Sequence, residues 1–60
     1  MTEITLDQQI KCAYREIGMR KKFYPRYIAN DQMSQATADH EIAAMEAVYA
    51  TLKNLKAETA

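Results

Sequence analysis

The residues of this chain best suited to chemistry are a short cluster of two acids and a histidine, and a lone thiol. Asp39, His40 and Glu41 are consecutive, and Cys12 is the only cysteine. A helical zinc site of the metalloprotease type needs a second histidine four residues after the first, and that position holds Ala44. A cysteine acts as a nucleophile beside a base in a cleft, so we expect Cys12 to be a small buried residue. We therefore expect no catalytic residue, no metal site, no cofactor and no enzymatic activity.

A second candidate is the basic and aromatic segment in the middle of the chain. Its possible interaction surface comprises Lys21, Lys22, Tyr24, Arg26 and Tyr27. Basic side chains contact phosphates and aromatic rings stack on bases, so this segment would suit a nucleic-acid partner. The formal net charge is zero and the second half of the chain is acidic, which favours pairing within the chain instead. Both interpretations stay open at this level.

The length of the chain limits how it can be stabilised. Sixty residues make one domain, and a domain of this size buries only about 60% of the surface that its unfolded chain exposes. A single cysteine excludes a disulfide within the chain. No apolar run is long enough for a membrane span, so we expect no membrane partner. Self-association or docking on another protein is the remaining source of stability.

The elements that must position these residues are two helices in a single domain, residues 1–60. After a lead at residues 1–4, Thr5 and Gln8 form a predicted capping box that starts helix 1 at residues 6–23. Helix 1 should stop before Pro25, because the residue before a proline is disfavoured in helical conformation. The turn covers residues 24–34, where Pro25 could also open a brief helical turn that a left-handed Asn30 or Asp31 ends. Ser34 caps helix 2 at residues 35–56.

Each helix carries one stripe at coiled-coil spacing, so the fold class is an all-α, antiparallel two-helix hairpin. The stripes are Leu6, Ile10, Ala13, Ile17, Arg20 and Tyr24 on helix 1, and Ala38, Glu41, Met45, Val48, Leu52 and Leu55 on helix 2, widened by Ile42 and Tyr49. Antiparallel matching places Ile10 near Tyr49 and Arg20 near Glu41. We predict a structural ion pair between Arg20 and Glu41 that fixes the register. The alternative is that both side chains reach water at the end of the hairpin.

A second face on each helix predicts a homo-oligomer, with a dimer that forms a four-helix bundle as the simplest case. The predicted oligomer interface comprises Met19 and Phe23 on helix 1 and Ala43, Ala47 and Ala50 on helix 2. Small residues let another backbone approach closely, and exposed apolar groups favour cover. The alanines alone would also fit simple helix propensity.

Three short motifs in this order resemble a known group of small proteins. They are Arg15-Glu16-Ile17-Gly18-Met19-Arg20, then Tyr24-Pro25-Arg26-Tyr27, and then Met33 followed by Glu41-Ile42-Ala43-Ala44-Met45-Glu46. The pattern, which covers residues 10–52, resembles small helical proteins encoded in tailed bacteriophages and prophages. The resemblance implies no activity, cofactor or substrate. It implies a location in the cytoplasm of a bacterial host and an accessory role that binds a host or phage protein.

These observations together predict a non-enzymatic phage accessory protein that acts as a self-associating helical module for protein interaction. The alternative is a small nucleic-acid-binding protein that uses the basic turn region.

Overall fold

A computed structural model describes residues 3–59, which form two α-helices. Helix α1 runs over Leu6–Ala29 and helix α2 over Gln35–Thr59. Asp7 at the start of α1 is bonded to Lys56 near the end of α2, so the helices are antiparallel and form a hairpin. The predicted all-α fold and the packing of two helices are confirmed for these residues. Of the predicted lead, residues 3 and 4 are not helical, and residues 1 and 2 lie outside the described part.

Both predicted helix starts are confirmed by their hydrogen bonds. The Gln8 N–H donates to the Thr5 hydroxyl over 3.1 Å, and the Thr5 N–H donates to the Gln8 side-chain oxygen over 2.8 Å. At the second start, the Thr37 N–H donates to the Ser34 hydroxyl over 3.1 Å. Each cap satisfies backbone donors that the first turn of a helix leaves without partners.

The end of α1 differs from the prediction, because the helix passes through Pro25 and ends at Ala29. The six added residues place Tyr24 and Ile28, both half-buried, against the rest of the hairpin, and this packing offsets the cost of a proline inside a helix. The connecting segment then covers only residues 30–34.

A Schellman motif closes the longer α1. The Gln32 N–H donates to the Tyr27 carbonyl over 2.8 Å, and the Asp31 N–H donates to the Ile28 carbonyl over 3.1 Å. Asp31 has a φ of 58°, so the left-handed residue that we expected at Asn30 or Asp31 is Asp31.

Because α1 is longer than predicted, the chain folds back later and the register of the two helices shifts. Tyr49 was predicted opposite Ile10, but its ring packs on Tyr14, one helical turn further along α1, with ring centroids 5.8 Å apart. The stripe predicted on α1 is correct, since all of its members are buried or half-buried. The stripe of α2 is rotated, and its inward members are Ala38, Ile42, Met45, Tyr49 and Leu52.

The core of the hairpin is very small. Ala13 and Ala38, at 2% and 1% exposure, are the buried residues of the described chain, and every larger apolar side chain remains at least partly in water. The accessible surface is 4831 Å², whereas a globular monomer of this size exposes roughly 4,000 Å². The Cα radius of gyration is 14.0 Å, compared with about 10 Å for a compact chain of equal length. The hairpin is elongated and leaves apolar surface uncovered.

Candidate interaction surfaces

Within residues 3–59, three ion pairs organise the charged side chains of the hairpin. Lys21 contacts Glu46 at 3.4 Å and Lys56 contacts Asp7 at 2.6 Å, so each of these pairs joins one helix to the other. The first of them agrees with the expected pairing between the two halves of the chain, but for Lys21 alone among the bases of α1 within residues 3–59. The hydrogen bond from Lys56 lowers the pKa of Asp7 below its usual range, and the positive charge of Lys56 acts in the same direction.

The third ion pair corrects the predicted pairing of Arg20 with Glu41. The Arg20 guanidinium donates to the carboxylate of Glu16 over 2.7 Å, one turn back on the same helix, and to the Glu16 carbonyl over 3.3 Å. The hydrogen bond to the Glu16 carboxylate is the main reason that the pKa of Arg20 is raised. Glu41 is exposed, because the rotation of α2 turns it out of the seam. The predicted pair is therefore wrong, and Arg20 is held from within α1.

The two long edges of the hairpin differ in character. One edge carries the contacts between Tyr14 and Tyr49 and between Lys21 and Glu46. At 100° per residue, Phe23 lies roughly 200° around α1 from Lys21, and Val48 lies roughly 200° around α2 from Glu46. Residues on the sides of Phe23 and Val48 therefore line the opposite edge.

The opposite edge, which we term the apolar edge, is rich in large apolar side chains. Met19, Phe23 and Tyr27 follow one another at four-residue spacing on α1, and Val48 and Leu55 lie seven residues apart on α2. Val48 and Leu55 are 47% and 46% exposed, and Met19 and Tyr27 are also exposed. Sequence reasoning missed Val48 and Leu55 because it placed both in the seam. The sequence held a signal for their exposure. Ile42 and Tyr49 also follow helical spacing, and a seam that contains them leaves Val48 and Leu55 on its outer side.

The residues of the predicted oligomer interface lie on two different sides of the hairpin. Met19 and Phe23 belong to the apolar edge, whereas Ala43, Ala47 and Ala50 follow the side of α2 that faces away from α1. These three alanines are exposed and are not continuous with Met19 and Phe23.

The residues of the predicted basic and aromatic surface near the turn also lie in different environments. Lys21 is engaged with Glu46, and Tyr24 is half-buried with its ring 6.1 Å from that of the exposed Tyr27. Lys22 and Arg26 are exposed on the outer side of α1, and the Lys22 amine lies 5.6 Å from the ring centroid of Phe23. The five residues do not form one surface.

The other residues that could take part in catalysis or metal binding lie apart from one another. Cys12 is exposed, in contrast to the prediction that it is buried, and its sulfur accepts a 3.7 Å contact from Arg15. Asp39 accepts a hydrogen bond from Gln35 over 2.9 Å, and His40 is exposed beside it. Over residues 3–59, no three His, Cys, Asp or Glu side chains converge as metal ligands. A shallow, open groove of about 590 Å³ runs along the N-terminal half of α1 and is lined by Ile4, Gln8, Lys11, Cys12 and Arg15.

The fold and its surfaces define an antiparallel helical hairpin that exposes large apolar side chains along one edge. Comparisons with family models, with curated proteins and with solved structures give no match to this chain. Over the part of the chain that the structure describes, neither α1 nor α2 has the length and hydropathy needed to span a bilayer.

Proposed function

We propose that this chain is a non-enzymatic, self-associating helical module for protein interaction, with a dimer that forms a four-helix bundle as its simplest assembly. The proposal includes an accessory role of the tailed-phage type, in the cytoplasm of a bacterial host, in which the assembled module binds a host or phage protein. The observation that carries it is the apolar edge beside a core of two alanines.

The total accessible surface in excess of that of a globular monomer is comparable to what one partner buries in a dimer. The hairpin exposes roughly 800 Å² more than a globular monomer of its size, and a standard protein interface buries about 800 Å² from each partner. Val48 and Leu55 are each about half exposed, so their full burial would contribute on the order of 1 kcal/mol apiece. In a twofold-symmetric dimer each of these residues is buried in both copies, so each contribution counts twice.

The test compares two neighbouring positions of α2. Val48→Glu puts a charge on the apolar edge, whereas Ala47→Glu puts the same charge on the outward side of α2. Both positions are exposed in the hairpin, so neither substitution disturbs its two buried alanines. Sedimentation across a concentration series should show that Val48→Glu weakens self-association by at least about tenfold, since an unpaired buried carboxylate is costly. Ala47→Glu should leave the association constant unchanged.

Two results would overturn this assignment. A wild-type chain that stays a folded monomer at high concentration would contradict self-association. Loss of association in Ala47→Glu but not in Val48→Glu would place the contact on the outward alanines of α2.

A further inference from the structure

The ion pairs leave a charge pattern that is far from even, although the chain is neutral. Three of the eight basic side chains are paired with carboxylates of the described residues. Of the five others, Lys53 lies on α2, where its amine is 5.9 Å from the ring centroid of Tyr49. The other four all belong to α1: Lys11, Arg15, Lys22 and Arg26.

These four residues, which we term the basic row, lie on one side of α1. Their spacing of four, seven and four residues keeps all of them within about 60° of each other around the helix. The row spans about 22 Å along the axis, at 1.5 Å per residue. All four residues are exposed, and none makes a salt bridge within residues 3–59. Arg15 contacts the Cys12 sulfur, and Lys22 lies near the Phe23 ring.

In the part of the chain that the structure describes, no carboxylate lies within salt-bridge distance of the basic row. The two acids of α1 are both engaged, Asp7 by Lys56 and Glu16 by Arg20. The unpaired acids all lie outside α1, in the N-terminal lead, the connecting segment and α2. Gly18 lies between Arg15 and Lys22 in sequence, and a Cβ built on it meets nothing within 4 Å, so the surface at Gly18 itself is open. The row is therefore a positively charged strip along α1.

We propose that the basic row docks on the phosphate backbone of duplex nucleic acid without reading its sequence. A straight row of four unpaired cations complements the regular negative charge of a duplex. Binders of single strands add aromatic side chains on which bases stack, and the exposed Tyr27 and half-buried Phe23 lie on the apolar edge instead. A membrane surface would need a broad apolar face beside the bases, whereas among the described residues the large exposed apolar neighbours of the row are few, such as Ile4 near Lys11 and Met19 between Arg15 and Lys22 in sequence. The row borders the apolar edge, since the Lys22 amine lies 5.6 Å from the ring centroid of Phe23, but none of the four bases belongs to that edge.

The number of contacts sets the expected salt dependence. Four phosphate contacts predict a slope of about −3.6 for log K against log salt concentration on a DNA duplex. Raising the salt from about 50 to 200 mM should then weaken binding about 100-fold.

The experiment measures fluorescence anisotropy of a labelled DNA duplex of about 20 base pairs across this salt range. Lys22→Gln should reduce the slope by about 0.9, and the combined substitution of Lys11, Arg15, Lys22 and Arg26 by Gln should abolish binding. Lys53→Gln is the matched control, since it removes an unpaired base from α2 and should leave the slope unchanged. Circular dichroism checks that each variant remains helical, which we expect because glutamine has a helix propensity similar to that of lysine and arginine.

Several outcomes would overturn the proposal. The first is no binding at about 100 μM protein in the lowest salt. The second is equal affinity in wild type and in the fourfold variant. The third is tighter binding to a single strand of the same sequence. The fourth is binding to vesicles of phosphatidylcholine and phosphatidylserine without binding to the duplex.

Discussion

Substitution of Pro25 by alanine tests the most consequential difference between the predicted and the observed hairpin. In the structure Pro25 lies inside α1, four residues before its end at Ala29. A proline in a helix interior lacks the N–H that would bond to the carbonyl four residues earlier, here that of Lys21, and costs about 3 kcal/mol relative to alanine. Proline also restricts the unfolded chain, which returns about 0.4–1 kcal/mol. Pro25→Ala should therefore raise the free energy of unfolding by about 2 kcal/mol.

The assay is urea unfolding followed by circular dichroism, at one protein concentration for every variant. Because residues 24–29 are already helical in the structure, Pro25→Ala should increase stability and leave the helical signal of the folded state nearly unchanged. If α1 ended before Pro25, the same substitution would let six more residues become helical, and the signal would rise by about a tenth of the chain.

A rise of that size in helical signal would refute the continuous α1 and the register that follows from it. Gly18→Ala is the control for a gain in stability at constant helicity. Gly18 lies inside α1, and a Cβ there meets nothing within 4 Å, so alanine should add up to about 1 kcal/mol with no change in helical signal.

Two further predictions concern the ion pairs. A double-mutant cycle between Arg20 and Glu16 should give a coupling free energy of about 0.5 kcal/mol by urea unfolding, whereas a cycle between Arg20 and Glu41 should give none; the reverse result would restore the pair across the seam. Because the pKa of Asp7 is lowered in the folded state, its contribution to stability is present above its unfolded pKa and is lost as the pH falls below about 4. The urea midpoint of Asp7→Asn should lack this part of the acid dependence, and an unchanged pH profile would contradict a bond between Asp7 and Lys56.

The features that sequence predicted correctly depend on a few neighbouring residues. The caps at Thr5 and Ser34 involve side chains and N–H groups three residues apart, and the inward stripe of α1 follows from helical spacing alone. The left-handed Asp31 also follows from local chemistry, since Asp tolerates this conformation better than most residues.

The features that sequence predicted wrongly depend on how one helix meets the other. Local preference ended α1 before Pro25, but packing of Tyr24 and Ile28 favoured a longer helix, and this single change moved the fold-back point. The register then shifted by about one turn, and Glu41, Val48 and Leu55 turned outward.

The pairing of Arg20 shows the same competition at one residue. A partner one turn away on the same helix is in place as soon as α1 forms, whereas a partner across the seam requires a particular register. The four-residue spacing of Glu16 and Arg20 is present in the sequence and favours a pair within α1.

The two buried alanines are the two positions at which the helices pack most closely. Ala38 lies in the first turn of α2, beside the connecting segment, and Ala13 lies in the first half of α1, toward the open end of the hairpin. Two separate points of close approach fix both the position and the tilt of one rod against another. A larger side chain at Ala13 would swing α2 about the contact at Ala38, parting Asp7 from Lys56 at the open end while moving Lys21 and Glu46 much less. A single enlarged methyl group would thus change the crossing angle of the helices and, with it, the width of the apolar edge.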